Sequence, residues 1–226
     1  MNLLAIDTSG DACSAALLRE GGILRQRLET APRRHGELIL PMLDGLLEDA
    51  GMGLRALDAI AFGRGPGSFT GVRIAVAVAQ GIAFGAGLPT APVSTLAALA
   101  QGEHRRTSRR RILAALDARM GEVYWGAYML GEDGVMALQD EELVCPPGEV
   151  PMPRGNGWWG VGPGWSAYEA VLAGRIGQAV TGMSPEAICE AQDIAWIGAA
   201  CCRRGELVAA ELAEPVYLRD RVTDRT

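Results

Sequence analysis

Residues 63–85 read GRGPGSFTGVRIAVAVAQGIAFG, a glycine-rich turn that runs into a long apolar helix whose only charge is Arg73. Along that helix Gly71, Ala75, Ala79 and Ala83 recur every fourth residue as a ridge of small side chains, and Ile74, Val78 and Ile82 form a larger apolar stripe beside it. A helix that is apolar all round has to be buried all round. The apolar run LDAIAFG before the turn predicts a strand whose sheet covers one flank, and the small ridge lets another backbone approach the other closely. An amphipathic helix predicted over 38–50 covers part of what remains. The rest calls for a second polypeptide, because about 400 Å² of wet apolar surface forgoes up to roughly 10 kcal/mol of transfer free energy.

The turn itself, Gly63 to Ser68, sits between strand and helix, where backbone N–H groups and the helix dipole favour an anion. Glycines also serve a sharp turn with no ligand, so both readings stand. All 21 basic residues are arginine, which excludes Schiff-base chemistry and a Walker-type phosphate loop, both of which need a lysine. The net charge of −6 argues against nucleic-acid binding over the whole surface and leaves a local basic patch open. The one basic run, Arg105, Arg106, Arg109, Arg110 and Arg111, is either a solvated linker or an RNA phosphate contact.

Other motifs are weaker. His35 and His104 are the only histidines and are too far apart in sequence for a metal pair on one helix, so no metal site is expected; His35 reads as a cap or partial core residue. GSFTG is not the G-x-S-x-G of a nucleophile elbow. Gly155-x-Gly157-x-x-Gly160 matches a dinucleotide fingerprint literally but follows VPMPR instead of a strand. Trp158, Trp159, Trp165 and Tyr168 read as packing around that loop. The five cysteines contain no C-x-x-C pair and suit a reducing compartment. Asp7 interrupts the first apolar run far short of a signal peptide, and Arg73, Gln80 and several glycines make 69–85 a poor membrane span, so the cytoplasm is expected.

The organisation predicted is α/β in two lobes. Leu3–Asp7, ACSAALL and GGILRQRL form a β-meander turning at Gly21-Gly22; the 38–50 helix follows, ended by Gly51, with Pro41 bending its first turns. After the long apolar helix come the strand LPTAPVS and a short helix capped by Ser94 and ending near Ala100. Residues 101–111 read as a linker, giving lobes at 1–102 and 103–226. In the second lobe ILAALDARMGEVYWGAYML is a hairpin turning at Arg119–Gly121, GEDG turns the next one, and CPPGEVPMP is loop. Helical periods appear at 165–174 and 184–204, and the helix of about 188–204 is expected to pack back on the first lobe. EPVYLRD closes the chain as an extended segment. Each lobe opens with a hairpin whose first strand ends in aspartate, Asp7 and Asp117, which suggests a duplicated plan.

LLAIDTS, His35 with ILPML after it, GRGPGSFTGVRIAVAVAQGIA, ALDARMGEVYWGAY, GPGWSAY and EPVYLRD, in that order, resemble the TsaB (YeaZ) family across essentially the whole chain, and G-P-G-S-F-T-G-x-R is the most specific piece. The resemblance implies the two-lobed actin-like, Hsp70-like ATPase superfold with ribonuclease H-like lobes and a degenerate nucleotide site. It implies a non-catalytic subunit of the bacterial complex that adds threonylcarbamoyl to N6 of adenosine 37 in tRNAs reading ANN codons. The partners implied are TsaD, which carries the metal-binding histidines and the threonylcarbamoyl-AMP substrate, and the ATPase TsaE; alone the chain pairs with itself, and tRNA contact is indirect. No cofactor of its own is expected, although a nucleotide at the shared interface stays open. The heterodimer face falls on His35, Ile39, Met42, Leu43 and Leu46 of the first helix and on Gly71, Val72, Ala75, Val76, Ala79, Ile82 and Ala83 of the second. Asp7, Thr8, Ser9, Gly65, Gly67 and Ser68 would be the remnant phosphate site, and Phe69, Thr70, Arg73, Asp117, Arg119 and Glu122 are further motif positions. The rival readings are a small-molecule kinase or ATPase holding magnesium near Asp7, and a peptidase acting through Ser68.

Overall fold

The computed structural model describes residues 1–19 and 22–219. The opening meander is β1 (Leu3–Asp7), β2 (Ala12–Arg19) and β3 (Ile23–Thr30), antiparallel throughout. Gly21 of the expected turn lies outside the described residues. Helix α1 (His35–Ala50) follows and ends at Gly51, whose φ of 62° is the left-handed conformation that glycine adopts freely. Strand β4 (Ala59–Gly63) pairs parallel to β1, α2 (Phe69–Ala86) crosses over, and β5 (Thr90–Val93) pairs parallel to β4. The sheet order is β3-β2-β1-β4-β5.

Strand alternation divides the core. Leu4 and Ile6 of β1 join Ile60 and Phe62 of β4 on the face covered by α1 and α2, while Leu3, Ala5, Ala59 and Ala61 point to the opposite core. That opposite face is covered by α6 (Ala191–Arg204), which lies so close that a Cβ on Gly198 would come within 2.7 Å of the Ala61 Cβ. Beside α6 and between the two sheets runs α3 (Thr95–Thr107), capped by the Ser94 hydroxyl, which accepts the Leu96 and Ala97 N–H groups.

The second sheet is β6 (Arg111–Arg119), β7 (Glu122–Leu130), β8 (Met136–Leu138), β9 (Leu143–Cys145), β10 (Trp158–Val161) and β11 (Val180–Ser184). Its order is β11-β10-β6-β7-β8, with β9 also pairing to β7. Short helices α4 (Pro163–Ala167) and α5 (Glu169–Ile176) cover its far face. In both sheets an antiparallel meander is followed by two parallel strands added on the same side of the first strand. This repeated plan is the ribonuclease H-like lobe of the actin-like superfold, and Asp7 and Asp117 stand at or near the ends of the corresponding strands.

Two expectations are corrected. Residues 101–107 are not linker: α3 continues through them, because their polar side chains have buried partners. Gln101 accepts the Met136 N–H at 2.8 Å, and Arg105 donates to Asp193 at 2.9 Å. The expected lobe boundary at 102 therefore falls inside a helix. The last long helix starts at Ala191, and residue 184 belongs to β11, whose Ser184 carbonyl accepts the Gly162 N–H at 3.1 Å. The terminal segment crosses between lobes. The Val216 N–H donates to the Arg64 carbonyl at 2.8 Å, and the Arg219 guanidinium donates to the Ala118 carbonyl and to Glu122. Asp220, the last residue of the expected extended segment, lies outside the described residues.

Candidate interface and phosphate turn

Strand β4 delivers the glycine turn directly beside the turn that follows β1, and the two are tied together. The Ser68 N–H donates to the Ser9 carbonyl at 2.8 Å, and the Thr8 hydroxyl donates to the Gly71 carbonyl at 2.6 Å. A Cβ on Gly67 would sit 2.5 Å from the Ser9 carbonyl oxygen, and one on Gly71 would overlap the Thr8 carbonyl oxygen. The glycines thus serve backbone-to-backbone contact between the two turns. Ser68 is the N-cap of α2, its hydroxyl accepting the Gly71 N–H at 3.4 Å. Asp7, Thr8, Ser9, Gly67 and Ser68 are accordingly brought together, while Gly65 lies against Val72 and Val216 and its carbonyl accepts the Thr95 N–H.

Asp7 is fully buried at the bottom of this arrangement. Its Oδ2 accepts the Ser9 N–H at 3.3 Å and the Ser9 hydroxyl at 3.1 Å, while Oδ1 has no hydrogen-bond partner among the described residues. Burial raises its pKa to about 6, and the Ser9 hydrogen bonds hold it from rising further. Burial also pushes the neighbouring Cys189 thiol well above its usual value, with the Asp7 charge adding to the shift. His35 is buried at the start of α1, with Nε2 3.4 Å from the Asp11 carbonyl oxygen, a packing role.

Helix α2 divides into two faces, and most of the expected partner face is turned into the chain's own core. Gly71, Val72, Ala75, Val76, Ala79 and Ala83 are buried in the core shared with Ile39, Met42, Leu43 and Leu46 of α1. With His35 these eleven positions lie inside the chain; of the expected set only Ile82 reaches the surface. The small ridge lets the helix seat directly on its own sheet and on the turn after β1, which is why it faces inward. The outer face carries Arg73, Ala77, Gly81, Phe84 and Gly85, with Ile74, Val78 and Ile82 half-buried at its edges. Phe84 is 75% exposed. Helix α1, packed beside it, adds exposed Leu40 and Pro41. A signal for this face was present in the spacing, since Ala77, Gly81 and Gly85 form a second small ridge at the same interval. Among the described residues α2 is the one helix long and apolar enough to cross a membrane, and its inner face is packed on the sheet.

At the N-terminal end of the outer face, Arg73 lies over the Phe69 ring at 3.6 Å and its Nε donates to the Tyr217 hydroxyl at 2.8 Å. Thr70 is exposed beside them. The other motif positions fasten the second lobe: Asp117 accepts the Arg119 N–H at 2.8 Å and the Tyr168 hydroxyl at 3.3 Å, and Glu122 takes Arg219. The tryptophans pack as expected, with Trp158 and Trp165 buried and the Trp125 and Trp165 rings 5.8 Å apart. Gly160 lies within β10, on whose pairing Trp165 also packs. Among the described residues no three His, Cys, Asp or Glu side chains are grouped to hold a metal.

Residues 16–223 match the family model described as "TsaD: tRNA N6-adenosine threonylcarbamoyltransferase". The chain is 44% identical to the tRNA threonylcarbamoyladenosine biosynthesis protein TsaB of Escherichia coli (strain K12), over 98% of this chain and 96% of that protein. It is 38% identical to the protein of the same name from Haemophilus influenzae, over 99% of this chain and 95% of the relative. The solved structure of YeaZ from Pseudomonas aeruginosa superposes with a TM-score of 0.90 at 47% identity, covering 96% of this chain and 99% of that one.

Proposed function

The chain belongs to the TsaB family, and from that premise we propose that it works as a non-catalytic subunit in the addition of threonylcarbamoyl to N6 of adenosine 37 of tRNA, paired with TsaD. The observation that carries this reading is the outer face of α2, an apolar helical surface flanked by Leu40 and Pro41 and left uncovered by the rest of the chain. A partner helix can approach closely over Ala77, Gly81 and Gly85, while Phe84 and Ile82 supply the larger contacts. The same face serves self-pairing when TsaD is absent, and TsaE joins the assembled pair. The cytoplasm is the compartment in which this work is done.

The burial of Asp7 supports an accessory role. The kinase reading requires ATP between the lobes with magnesium near Asp7, and here the Asp7 carboxylate is buried and accepts the Ser9 N–H and hydroxyl. Ser68, the residue a peptidase reading requires, is occupied as a helix cap. The test is reconstitution: TsaD, TsaE, tRNA, ATP and the threonylcarbamoyl donor, with and without this chain. Modified adenosine is expected only when TsaD and this chain are both present, and Asp7→Asn should support it as well as the unaltered chain. Loss of product with Asp7→Asn in a complex that still assembles would make the chain a catalyst and overturn the reading.

A further inference from the structure

The geometry points to a second contact surface, an RNA-phosphate site in the basic pocket of the second lobe formed by Arg109, Arg110, Arg111 and the loop at Gly157. In a chain of net charge −6 a polyanion is repelled on average, so a place where arginines outnumber the acids beside them is the exception. The basic run splits in two. Arg105 is neutralised by Asp193 and Glu190, and Arg106 by Glu103 and Glu190. Arg110 and Arg111 form no ion pair among the described residues; Arg111 Nη1 donates to the Asn156 carbonyl at 2.7 Å, which fixes its guanidinium against the loop. Together with Arg109, Met129, Leu130 and Gly157 they line a cavity of about 530 Å³.

Arg109 is held in advance of any ligand. Its guanidinium carbon lies over the Trp159 ring, 3.3 Å from the centroid, and its buried Nε stands 3.7 Å from Glu103, inside ion-pair range but without a hydrogen-bond acceptor. Planar guanidinium groups suit the paired oxygens of a phosphodiester, and a pre-ordered arginine loses little freedom on binding one. Trp159 cannot serve as a base platform: Arg109 covers one face, its Nε1 donates to Ser184, and Gly182 lies so close that a Cβ there would overlap the indole. The surface therefore reads phosphates and not bases, so binding is independent of sequence and steeply salt-dependent. The choice of RNA over other polyanions rests on the functional reading above; the pocket shares no residue with the α1–α2 face, so both can be engaged at once.

The test is fluorescence anisotropy of a labelled, unmodified tRNA transcript with the full chain alone, across a salt series. Binding in the weak, roughly micromolar range is expected, equal for an RNA of scrambled sequence. Arg110→Ala should lower the slope of log affinity against log salt by about 1, Arg110→Glu should weaken binding about tenfold or more, and Arg110→Lys should retain it. Arg110 is exposed, so the fold is not at stake. Absence of RNA binding at low salt, unchanged binding by Arg110→Glu, or binding to phosphatidylserine vesicles in place of RNA would each overturn the proposal. Because TsaD is not in the assay, such a failure leaves the pairing with TsaD untouched.

Discussion

Asp7 shows how a single residue can be recognised in sequence while its use is not. Its sequence context reads as a phosphate-site carboxylate; the fold buries it beneath Ser9, with a pKa raised by burial to about 6. A carboxyl whose folded-state pKa exceeds its unfolded one binds its proton more tightly when folded, so the chain is most stable, as far as this group goes, below about pH 4. That stability is lost as pH rises through about 6, to a total on the order of 3 kcal/mol. Asp7→Asn removes the ionisation. Its melting temperature is expected to exceed that of the unaltered chain by roughly 5 °C at pH 8, with the gap closing by about pH 4. A variant that melts lower at pH 8 would show that the charge itself is needed. Gly71 gives the same lesson: its place on a small ridge was legible, but spacing fixes which residues share a face and not which way that face turns.

At the scale of elements, the best-read parts are those whose pattern and environment agree. The apolar run of β1, the 39–50 stripe of α1 and the caps at Gly51 and Ser94 follow from local rules. The 101–107 stretch does not, because its composition describes a solvated segment while several of its side chains reach partners far along the chain: Gln101 accepts the Met136 N–H, and Arg105 donates to both Asp193 oxygens and to Glu190. Asp193 is fully buried on α6, and burial raises its pKa against the opposing pull of Arg105. Arg105→Ala leaves that carboxylate uncompensated and should destabilise the chain by about 2 kcal/mol, less than a fully buried pair because Arg105 keeps part of its side chain in water. A lower urea midpoint with an unchanged slope is the expected reading, and adding Asp193→Asn should recover much of it. A midpoint unmoved by Arg105→Ala would mean that α3 and α6 hold together without the pair.

At the scale of the whole molecule, the duplicated plan was legible from Asp7 and Asp117, which stand at or near the end of the first strand of each meander. The way the halves are joined was not: α3 passes between the sheets, and the terminal segment reaches from Arg64 and Arg73 in one lobe to Ala118 and Glu122 in the other. Such contacts link residues far apart in sequence and leave no local pattern. What the assembled molecule leaves uncovered is the outer face of α2, and the account depends on that face meeting TsaD. The most direct measurement is titration calorimetry of purified TsaD with this chain and with Ala77→Arg, a change at an exposed position. The account predicts a stoichiometric complex that Ala77→Arg weakens about tenfold or more, a loss of at least roughly 1.4 kcal/mol, with the melting temperature of the free chain unchanged. Binding by Ala77→Arg as tight as that of the unaltered chain would contradict it.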